Sequence, residues 1–180
     1  MKERRLKENW KLEQKITDSG HETRVPVYTG NYYRFENDPR SLLIAGCAGL
    51  ILYLMVAVLF MLLKLRGTYC IYVLPVFLCG LIPGVYWAMG LFTMWRNPSR
   101  MTVVQKEKGP ARVLRSALGC GIFTSMSFIG DCILLLTQHP ENEWIDTILL
   151  ALASGCAITV FNRFRNACTH ISEEKGSKQA

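Results

Sequence analysis

The sequence predicts an all-α integral membrane protein: an antiparallel bundle of four transmembrane helices with both termini cytoplasmic. Two observations predict it. Half of the 180 residues are hydrophobic, and they are gathered into four long blocks instead of being spread at period 3.6 with a polar back face. A block of about 20 apolar residues is what crossing ~30 Å of hydrocarbon requires. The cations, 21 Lys plus Arg against 14 Asp plus Glu, fall between these blocks in an alternating pattern.

Residues 1–40 precede the first block and form a basic arm. Their length and polarity do not fit a removable signal, since no short apolar stretch with a small-residue cleavage site opens the chain. The first sixteen, MKERRLKENWKLEQKI, are compatible with a helix carrying a Glu3–Lys7 pair at i, i+4. Leu6 and Trp10 would share a face on it, but Leu12 and Ile16 fall well away, so its amphipathic character is poor. The following VPVYTGNYYRFENDPR interleaves Tyr28, Tyr32, Tyr33 and Phe35 with turn formers. It is expected to lie against the inner membrane interface.

The transmembrane domain is read as residues 41–161. Its first span, 41–63, is uncharged, and Asp38-Pro39 ahead of it offers an N-cap followed by proline at the first helical position. The second, 68–95, is also uncharged but longer than a span requires, so it must tilt, kink or project, with Pro75 and Pro83 as the predicted kinks. The third, 116–137, contains Asp131, and the fourth, 144–161, has Asp146 near its start. Residues 162–180 read as a tail.

Orientation follows from the cations, which are retained on the cytoplasmic side. Nine lie in residues 1–40, two in the 64–68 turn, six in 96–115, none in 138–143 and four after Phe161. The arm, the middle loop and the tail are therefore expected inside, leaving two short outer turns. Tyr69, Tyr72 and Trp144 near the outer boundary, and Trp95 near the inner one, sit where amphipathic rings favour the interface. The membrane that fits is the cytoplasmic (plasma) membrane, with an organelle membrane as the alternative.

The basic balance also raises nucleic acid as a partner, but the cations flank apolar spans and no zinc or helix-turn-helix pattern accompanies them, so none is expected. Anionic lipid headgroups account for the charge, at ~1 kcal/mol per basic residue near the surface. Catalytic signatures are missing: there is no G-x-S-x-G, no G-x-x-x-x-G-K-[ST] and no H-E-x-x-H. His21, His139 and His170 lie in an arm, an outer turn and a tail, which builds no site. The seven cysteines never approach C-x-x-C spacing, and although Cys47, Cys120 and Cys156 share a depth they read as small apolar residues. No catalytic residue, metal or cofactor is expected.

Packing signals are richer. Gly80, Gly84 and Ala88 repeat at four-residue spacing in the second span, Ala151, Gly155 and Thr159 in the fourth, and Ala45 with Gly49 in the first. In lipid, where no hydrophobic drive brings helices together, such small faces let backbones approach closely. They are expected to assemble the four spans.

The candidate site is a polar stripe on the third span. At ~100° per residue, Ser116, Cys120, Thr124, Ser127 and Asp131 fall within ~80° of one another. Asp131 lies six positions from Thr137, about 9 Å below the outer boundary, too deep for a one-methylene side chain to snorkel. No Lys or Arg occurs within any span. The nearest polar groups that topology offers are Lys64, Arg66, Tyr69, Tyr72 and Asp146. A carboxyl so placed favours its neutral form, able to donate one hydrogen bond across a helix interface; the alternative is an ion- or proton-responsive group. The function expected is accordingly a small accessory, assembly or regulatory subunit of a membrane complex, partnered by other membrane or cytoplasmic proteins, with an oligomeric transporter or channel protomer as the alternative.

Overall fold

A computed structural model describes residues 10–16, 22–28, 30, 32–35, 38–63, 66–96, 101–138 and 144–174. The chain is predominantly helical, with four helices long and apolar enough to cross a membrane. In chain order the elements are β1 (Trp10–Ile16), β2 (Glu22–Tyr28), β3 (Tyr32–Phe35), α1 (Pro39–Leu62), a 3-10 turn at Arg66–Tyr69, α2 (Leu74–Arg96), α3 (Val103–Lys108), α4 (Pro110–Gln138), α5 (Trp144–Thr169) and β4 (Ile171–Glu174).

The arm departs from the helical expectation. β1 pairs antiparallel with β2 from Trp10 opposite Tyr28 to Ile16 opposite Glu22. The reason is legible in WKLEQKI: Trp10, Leu12 and Ile16 recur at even spacing with Lys11, Glu13 and Lys15 between them, the period of a strand and the reason the helical wheel fails. The Glu3–Lys7 pair lies outside the described residues.

α1 begins as expected, with Pro39 first and the Asp38 side chain accepting from the Arg40 N–H at 3.1 Å. The second span is shorter than predicted. Residues 66–69 make the 3-10 turn, and the α-helix starts at Leu74. Pro75 therefore sits in the first turn of α2, where its missing N–H has no helical partner to lose, and it is not a kink. Pro83 is inside the helix.

The middle loop carries more structure than a linker. Thr102 and Gln105 form a reciprocal capping box that starts α3, Gly109 ends it, and α4 follows at once from Pro110, six residues before the predicted start. α5 likewise runs past residue 161 to Thr169, and the expected tail continues into β4. β4 pairs antiparallel with β3, Phe35 opposite Ile171, while Tyr33 and Met101 exchange both backbone hydrogen bonds at 2.8 and 3.0 Å. Lys106 Nζ lies 4.0 Å from the centroid of the Tyr33 ring, a cation–π contact. Arm, loop and tail thus meet at one end of the bundle, and Phe35 and Met101 are buried beneath that seam.

α4 packs against α2 and α5, and α1 against α5 and α2. The main core joins Tyr53, Trp87, Leu91, Val113 and Phe164; a second cluster of Phe60, Val73, Phe77 and Leu150 fills the end near Gly67. The outward faces stay apolar, with Ile51, Ile82, Val85, Ile122, Ile129 and Ile148 all exposed. A water-soluble bundle would set polar residues there.

Candidate functional site

All five residues of the α4 stripe are buried: Ser116, Cys120, Thr124, Ser127 and Asp131. Each finds a hydrogen-bond partner. The Ser116 hydroxyl donates to the Arg112 carbonyl and Thr124 Oγ1 to the Cys120 carbonyl at 2.7 Å, both within α4. The other three reach across. Cys120 Sγ donates to the Gly80 carbonyl of α2 at 3.4 Å, one residue beyond the Cys79 carbonyl that Pro83 deprives of an N–H partner. Ser127 Oγ lies 3.1 Å from the Phe123 carbonyl of its own helix and 3.3 Å from the Val73 carbonyl, just ahead of α2. Asp131 Oδ2 accepts from Thr147 Oγ1 of α5 at 2.6 Å.

Sequence reasoning missed Thr147 as the partner of Asp131. The two tyrosines considered for that role point largely outward, Tyr69 at 76% and Tyr72 at 46% exposure. The signal was available: a hydroxyl in the first turn of the fourth span stands at the level of Asp131 in the third, because the two spans are joined by a short turn.

Asp146 belongs to the same site. It is the third residue of α5, so its carboxylate lies in the first turn, at the positive end of the helix dipole. Its Oδ2 accepts the Gly67 N–H at 2.8 Å, a buried bond joining α5 to the 3-10 turn. A Cβ on Gly67 would stand 3.2 Å from Asp146 Oδ2, 3.3 Å from Asp131 Oδ1 and 3.3 Å from Phe60 Cζ. A side chain there would have to push both carboxyl groups back by a few tenths of an ångström, since they close on the same point.

The small-residue faces are used selectively. Gly80 meets Tyr53 and Phe123, with Tyr53 Oη 3.0 Å from where its Cβ would be, and Gly84 meets Tyr53 and Cys120. Ala88 is exposed, and the third close approach falls to Gly90 against Gly109 and Val113. In α5, Ala151 is exposed and Gly155 has no atom within 4 Å of its virtual Cβ; the packing face is Leu150, Ala153, Ala157, Val160 and Phe164. In α1, Gly46 and Gly49 are buried while Ala45 is only half-buried, because Gly46 receives Leu91 and Phe164 and Gly49 receives Val160. Small residues become contacts where a neighbour supplies a bulky side chain, and spacing alone does not say where that is.

Two further polar groups lie in the core. Tyr53 and Trp87 are fully buried, with ring centroids 6.2 Å apart, and neither the Tyr53 hydroxyl nor the Trp87 indole N–H has a hydrogen-bond partner among the described residues. All seven cysteines are free thiols. Among the described residues no three His, Cys, Asp or Glu side chains are grouped to hold a metal ion.

No protein-family model matches the chain, nor does any curated protein or solved structure. The α4 stripe can bind helices to one another, and the Asp131–Asp146–Gly67 cluster can fix the turn between α1 and α2 onto α4 and α5.

Proposed function

We propose that this chain is a small multi-pass membrane protein acting as a non-enzymatic accessory, assembly or regulatory subunit of a membrane complex. The observation that carries this reading is the seam of β3, Met101 and β4, which joins arm, middle loop and tail into one surface. Three polar segments held together suit docking of a protein partner better than three independent tails would. The α4 stripe supports the non-enzymatic half of the reading, because its buried side chains are engaged in hydrogen bonds within α4 or to the neighbouring α2, its leading turn and α5, instead of being presented to a substrate.

The cation distribution orients the bundle as antiparallel spans with the seam in the cytoplasm and the Gly67 turn outside. Single-cysteine labelling at Ser99 and at Glu141, in a cysteine-free background, is expected to leave the first protected and the second reactive from outside. The reverse pattern would invert the orientation.

A second reading is favoured by one observation, the convergence of the Asp131 and Asp146 carboxyl groups on Gly67. In a transporter or channel protomer these would form an ion- or proton-responsive site, since acids within a membrane mark ion paths. Purification from native membranes in mild detergent separates the two readings. A stoichiometric second polypeptide is expected; a homo-oligomer alone would favour the transporter.

The same preparation tests Asp131. Asn can still accept from Thr147, so Asp131→Asn is expected to accumulate and assemble like the parent. Asp131→Leu leaves the Thr147 hydroxyl without its acceptor and is expected to lose ~1 to 2 kcal/mol of helix association. An ion- or pH-dependent flux in vesicles, abolished by Asn in a normally assembled protein, would overturn the structural role.

A further inference from the structure

A cleft of about 380 Å³ lies between the first turns of α1 and the last turn of α2, at the seam end of the bundle. That volume falls within the roughly 300–1,000 Å³ of small-molecule sites. Leu43 and Ile44 line it from α1, Met94 and Trp95 from α2, and Phe35 and Met101 from the seam. Its inner lining is buried, with Phe35, Met94 and Met101 each no more than 6% exposed. Its outward edge is apolar too: Ile44 is 66% and Trp95 71% exposed, on flanks that face acyl chains in a membrane-spanning bundle.

The charge in the lining is of one sign. The Arg40 side chain is exposed and belongs to a lining residue, while Arg34 lies on the opposite face of β3 from the lining residue Phe35 and the Arg96 guanidinium lies over the Phe92 ring, 5.4 Å from its centroid. Among the described residues the carboxylate beside the lining is Asp38, which is used as the N-cap of α1. A tryptophan and an arginine at helix ends mark the level of the headgroups, and arginine pairs with phosphate through its planar fork. An apolar cleft with an exposed arginine in its lining has the two-part character of a phospholipid.

We propose that this cleft holds one acyl chain of an anionic phospholipid from the surrounding bilayer, with the Arg40 guanidinium on the headgroup phosphate. The proposal rests on the membrane-spanning reading and is independent of the subunit role. Bound there, a lipid would wedge α1 and α2 directly beneath the seam, so the leaflet's composition would bear on the surface that docks partners.

Native mass spectrometry of the full chain in nonionic detergent, titrated with phosphatidylglycerol or phosphatidylcholine, tests it. Phosphatidylglycerol is expected to be retained preferentially. Arg40→Gln is expected to lower its retention about five-fold, the equivalent of one basic residue near an anionic surface, and to lower that of phosphatidylcholine less, because the choline cation already offsets the charge of the phosphate the two lipids share. Ile44→Trp, at an exposed position, should obstruct the cleft and lower retention of both lipids. Equal retention of the two lipids by the parent, or phosphatidylglycerol retention unmoved by both variants, would overturn the proposal; so would displacement by glycerol phosphate alone, which would make the ligand a soluble phosphate. Alkaline carbonate washing of membranes holding the parent chain distinguishes the deeper failure, because release into the wash would overturn the membrane reading itself.

Discussion

Gly90→Leu is expected to disrupt the bundle, lowering its stability by at least about 3 kcal/mol, the upper end of what overpacking a close contact costs. A Cβ at that position would stand 2.6 Å from Val113 Cγ2 and 3.1 Å from both the Gly109 carbonyl oxygen and the Val113 backbone nitrogen. A side chain can rotate away; the backbone at the start of α4 cannot. Gly155→Leu is the matched control. Its Cβ meets nothing within 4 Å, so its effect should stay within about 0.5 kcal/mol. Thermal unfolding of both variants in the same detergent measures the difference, and equal damage from the two would refute the assignment of α2–α4 contacts at Gly90.

That contrast also marks how far the sequence could be read. Four apolar blocks announced the four helices, and the α4 stripe was visible as a periodicity because a polar side chain in an apolar run must turn toward a partner. Gly155 and Gly90 are indistinguishable by the same reasoning. Both are small residues in apolar helices, and only the bulky neighbour across the interface, Val113 for one and nothing for the other, separates them. Helix ends were misplaced for a related reason. Residues 110–115 and 162–169 are polar enough to read as loop, yet they continue helices, and Val113 and Phe164 within them join the main core. The Asp131–Thr147 bond needed a depth comparison between adjacent spans, while the Gly67–Asp146 bond needed a turn geometry that no local pattern encodes.

The Gly67–Asp146 bond gives the second large effect. Asp146→Ala removes the carboxylate that accepts the buried Gly67 N–H, and a donor stranded in an apolar setting costs about 1–3 kcal/mol. Asp146→Asn keeps an acceptor oxygen at the same reach and is expected to recover most of that loss. Hydrogen exchange at the Gly67 amide reads the contact directly: protection should fall in the alanine variant and persist in the asparagine one. If both variants exchanged like the parent, Asp146 would not be what holds the turn between α1 and α2.

The seam bears on the order in which the chain is made. Ser172 Oγ donates to the Arg34 carbonyl across 138 positions of sequence, so β3 leaves the ribosome long before its partner strand exists. At about 5–20 residues per second that delay is on the order of ten seconds. During it Phe35 has no Ile171 to cover it, and the four helices must find one another without the strand that later closes their end. Closure is then a signature of a finished molecule. A nascent chain stalled before residue 171 would display an unpaired strand edge, which is the kind of feature by which quality control separates incomplete membrane proteins from complete ones.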